Sequence, residues 1–120
     1  MQFNIEDAQD IAKLLGTVRL MAKGEFKIAK ELLDEVLTRL DRVARERGIA
    51  IRIVAPSGER IIEFTAYGIV AGAALGYYIG QLPGALIGAV AGGVASYFAA
   101  HMTLVMDRPG GGEHLSVKIA

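Results

Sequence analysis

Apolar positions in the first third of the chain recur at helical spacing. Ala8, Ile11, Ala12, Leu15, Val18 and Ala22 fall on one stripe. Asn4 is a fitting N-cap, and Glu6 and Asp7 would occupy a first turn whose dipole favours negative charge. The stripe breaks near Gly24. A second one, Phe26, Ala29, Leu33, Val36, Leu37, Leu40 and Val43, predicts a helix from about Glu25 to Arg47, stopped by Gly48. Glu35 with Arg39 and Asp41 with Arg45 are opposite charges one turn apart on its outer face. Two amphipathic helices joined by a short turn predict an antiparallel helical hairpin.

The period then changes. Ile49, Ile51 and Ile53 alternate with Ala50, Arg52 and Val54, which predicts a strand, and Pro56-Ser57-Gly58 predicts a turn. Glu59 to Phe64 suits either a returning strand or the opening turn of another helix. Near the C-terminus, Met102–Met106 and Leu115–Ile119 are both strand-like, with Leu115, Val117 and Ile119 on the inward side. They flank Asp107-Arg108-Pro109-Gly110-Gly111-Gly112, which reads as a hairpin loop. Such short strands are unstable alone, so 49–54 is expected to pair with the strands after Met102.

Charge divides the chain more sharply than periodicity does. Residues 1–63 hold eleven acids and eleven bases, whereas the 43 residues from Phe64 to Met106 hold none. As one helix that block would reach roughly 65 Å, about twice the hydrocarbon thickness of a bilayer; halved, each part spans it. Pro83 stands at the midpoint, so the block predicts two transmembrane helices, residues 63–101, with a break near 81–84. The aromatics fit: Phe64 and Tyr67 with Tyr97 and Phe98 would share one membrane surface with His101, and Tyr77 and Tyr78 would lie at the other. Arg52, Arg60 and Arg108 flank one side, which places both termini in the cytoplasm and the protein in an inner or plasma membrane. The fold class so predicted is an α+β membrane protein: an N-terminal helical hairpin and small antiparallel sheet form a head of residues 1–62 and 102–120, into which the transmembrane hairpin is inserted. The alternative is a soluble assembly that buries the hairpin, or a toxin-like protein that inserts conditionally.

Within the block, Gly68, Gly72, Gly76, Gly80, Gly84, Gly88 and Gly92 stand four residues apart, and Ser96 continues the series. Small residues at this spacing let helix backbones approach closely in lipid. The series resembles that of the glycine-zipper proteins with two transmembrane helices. The resemblance implies close helix packing and homo-oligomers, and it implies neither conduction nor any one activity.

Candidate chemistry is sparse. The chain has no cysteine, which excludes disulfides and thiolate sites, and two histidines, His101 and His114, which lack a clustered acid. His101 reads as an interfacial residue, or less simply as a pH sensor. Glu113 beside His114 reads as solvated loop. Glu63, the acid abutting the uncharged block, reads as an interface-level residue, or as an ion ligand if the span starts earlier. Gly110-Gly111-Gly112 lacks the helix and the Lys-Ser/Thr of a phosphate loop, and Ser57 has no base in reach. Zero net charge argues against a general grip on nucleic acid. Met1–Asp10, with three acids and no base, is unlike a signal peptide. The expectation is a non-enzymatic protein without cofactor or metal, whose partners are itself, the bilayer and a cytoplasmic protein. It would act as an oligomeric membrane scaffold or anchor, or alternatively as a pore.

Overall fold

The computed structural model describes residues 2–20, 24–80, 82–87, 101–107 and 114–119. The chain opens on a strand, β1 (Gln2–Ile5), followed by helix α1 (Ala8–Arg19). Asp7 rather than Asn4 caps α1: its carboxylate accepts from the Asp10 N–H at 3.0 Å, and Asp10 in turn accepts from Glu6 N–H at 3.1 Å. Asn4 lies in β1, a strand too short for its alternation to show in the sequence.

The expected second helix is two elements. Glu25–Ala29 forms β2, and after a single 3₁₀ turn α2 runs over Leu33–Arg47. Phe26 and Ala29 fit a helical stripe at i, i+3, but Phe26 and Ile28 fit an alternating strand equally well. Pairing decides between them. β2 lies parallel to β1 and antiparallel to the C-terminal strand, with Phe26 opposite both Phe3 and Val117. α2 ends as predicted at Gly48, whose φ of 63° is left-handed. The Glu35–Arg39 and Asp41–Arg45 pairs form at 3.3 and 3.1 Å, although Asp41 is nearly buried rather than on the outer face. α1 and α2 contact one another, but the strand between them replaces the predicted turn, so they are two sheet-packed helices rather than a helical hairpin.

Three strands follow, β3 (Ala50–Val54), β4 (Arg60–Thr65) and β5 (Gly68–Ala71), then two one-turn helices, α3 (Leu75–Tyr78) and α4 (Gly84–Ile87), and finally β6 (His101–Asp107) and β7 (His114–Ile119). Together they make one seven-stranded mixed sheet in the order β1-β2-β7-β6-β3-β4-β5. The sequence predicted β3, β6, β7 and the pairing of β3 with a strand after Met102. That pairing is parallel, Ile51 to Met102 and Ile53 to Leu104, so the sheet is not the small antiparallel one expected. Ile5, Phe26, Ile28, Val117, Ile119, Leu104, Ile51, Ile53 and Phe64 are buried in a single core together with Ile11, Leu14 and Val18 of α1 and Leu37, Leu40 and Ala44 of α2. Between Ile53 and Val54 the β4 register slips by one residue, and the extra residue of this bulge lets Ile61 and Ile62 both be buried.

The transmembrane hairpin is the main correction. Its predicted first half, from residue 63 to the break near 81, falls on the last three residues of β4, on β5 and on α3. With four residues each, α3 and α4 are about 6 Å long against a hydrocarbon thickness of about 30 Å. No helix among the described residues is long and apolar enough to cross a membrane. The glycine spacing has a different cause here. Gly68 takes a φ of 146° where the β4–β5 turn enters β5. At Gly72 the chain passes so close to β4 that a Cβ would overlap the Arg60 carbonyl, while the Gly72 N–H donates to Ile61 O at 2.9 Å. These are demands of turns and tight strand contact, not of a helical stripe. Gly88, Gly92 and Ser96 lie outside the described residues.

The order of the strands gives β7 a role out of proportion to its length, since it is bonded to β2 on one side and β6 on the other. Removing residues 113–120 should therefore lower amide protection throughout Glu25–Arg47, read by hydrogen exchange. Unchanged protection there would show the N-terminal half to be independent of the C-terminal strand.

Candidate functional site

One face of the sheet carries the apolar positions. The other presents every second residue of each strand, and across its middle runs the register row Thr103, Arg52, Glu63 and Val70, from β6, β3, β4 and β5. Alternation is what sets this row: Arg52 falls between Ile51 and Ile53, and Glu63 between Ile62 and Phe64, so the neighbours point into the core and the charges point away.

Arg52 Nε donates to Glu63 Oε2 at 3.2 Å across the strands. The Glu63 side chain is 9% exposed and that of Arg52 39%, so the guanidinium covers a largely desolvated carboxylate. Among the described residues no buried side-chain nitrogen or oxygen lacks a hydrogen bond, and no group of three or more histidines or acids is placed to hold a metal ion. The Glu63 carboxylate is held by the Arg52 guanidinium, and the pair ties β3 to β4 across the sheet. The sequence carried a signal for the hairpin but not for this pair. The turn at Pro56-Ser57-Gly58 starts a register of Val54 with Arg60 that would set Arg52 opposite Ile62, and only the bulge beside Ile53 brings Arg52 to Glu63.

Other singled-out residues are dispersed. His101 opens β6 opposite Ala50, and His114 opens β7 opposite Ala29. By the β6–β7 register they sit at opposite ends of the hairpin, roughly 25 Å apart along the strands. Glu113 lies outside the described residues, as do Gly110–Gly112. Ser57 is an exposed turn residue. Phe64 is fully buried between Ile51 and Ile69. Tyr67 is in the β4–β5 turn, 76% exposed, where its N–H donates to the Thr65 hydroxyl at 3.2 Å. That hydroxyl donates in turn to Gly68 O at 2.8 Å, which closes the turn. Tyr77 and Tyr78 meet edge to face in α3 at 5.0 Å, Tyr77 74% exposed and Tyr78 packed on the core. Gly76 lies in α3, Gly80 just after it with a φ of 84°, and Gly84 begins α4. Tyr97 and Phe98 lie outside the described residues.

The structure therefore gathers no constellation of catalytic side chains among the described residues. Along one margin of the sheet lie elements without charged residues of their own, β5 with the Tyr67 turn at its start and α3 bearing Tyr77 beyond its end. Arg60 of β4 is set against Gly72 and Ala74 between them. Comparison of the chain with protein-family models, with characterised proteins and with solved structures finds no match, so geometry alone carries the functional reading.

Breaking the Arg52–Glu63 pair tests its role. Arg52→Ala should destabilise the fold by about 1–3 kcal/mol, because Glu63 would be left nearly buried without its partner. The double replacement Arg52→Leu/Glu63→Leu should recover most of that loss, since the desolvated charge is removed as well. Chemical denaturation of the three proteins gives the comparison. Equal stability of Arg52→Ala and the parent protein would make the pair incidental.

Proposed function

We propose that this chain is a non-enzymatic protein that works by associating with itself, as a structural or scaffolding component. The observation that carries the reading is the margin just described. From Phe64 to Ile87 no residue is charged, yet this stretch supplies an edge strand of the sheet and two tyrosines about three-quarters exposed. Uncharged surface of that kind, on a protein whose remaining surface is rich in both signs of charge, is what contacts between proteins use. Among the described residues the acids most withdrawn from water, Glu63 and Asp41, are both committed to arginines, which supports an interaction role over a catalytic one.

Light scattering on a concentration series in detergent-free buffer tests the reading. The expected result is a mass that rises with concentration from the 12.8 kDa of one chain towards a small multiple of it. A mass of one chain at every concentration would contradict the proposal.

A further inference from the structure

We draw no further inference here: the strongest candidate, the partly exposed row of Thr103, Arg52 and Val70 beside Glu63 on the sheet face turned away from the core, carries nothing, because nothing in the structure shows what covers that face.

Discussion

The structure depends on one pairing event, the insertion of the β6–β7 hairpin between β2 and β3. Without it the strands form two separate groups, β1 with β2 and β3 with β4 and β5. Two and three short strands are marginal sheets, and neither alone offers a floor wide enough for both helices. With the hairpin in place, Val117 meets Phe26 on one side, and Met102 and Leu104 meet Ile51 and Ile53 on the other. α1 and α2 then cover one continuous apolar surface. The cost is a high separation in sequence between partners: β3 and β6 are some fifty residues apart, and β2 and β7 some ninety. Loop-closure entropy makes such contacts slow to form, so the last strand of the chain completes the fold of the first half.

What the sequence disclosed follows from which signals are local. Alternation in 49–54, 102–106 and 115–119, the turn at Pro56-Ser57-Gly58 and the stop at Gly48 each depend on neighbouring residues, and each was legible. β1 and β2 were not, because four or five residues do not separate a period of two from a period of 3.6. Phe26 belongs to either pattern until Val117 lies beside it. The uncharged block misled for a different reason. Glycine at every fourth position fits a helix that packs closely, but glycine is also what a left-handed turn at Gly68 and a close strand contact at Gly72 require. Spacing records where glycine occurs and not why the backbone needs it. Absence of charge was likewise read as a need for lipid, whereas from Phe64 through β5 it accompanies Phe64 and Ile69 in a protein core.

The candidate surface was only partly legible. Tyr67 and Tyr77 stood out as aromatic residues in an uncharged stretch, but their exposure follows from a turn and a one-turn helix that the helical reading removed. The edge could be found only from the strand order. The Arg52–Glu63 pair has the opposite history: each residue was visible as a charge near apolar neighbours, and their meeting required Glu59–Phe64 to be settled as a returning strand. Local chemistry thus named the residues, and non-local pairing assigned them their work.

Backbone NMR of the chain in detergent-free solution tests the central claim most directly, because it distinguishes strand from helix residue by residue in the uncharged block. Extended chemical shifts over Arg60–Ala71, with cross-strand contacts of Phe64 with Ile69 and of Ile51 with Met102, are the predicted result. Continuous helical shifts from Phe64 through Gly80, with neither contact present, would contradict it.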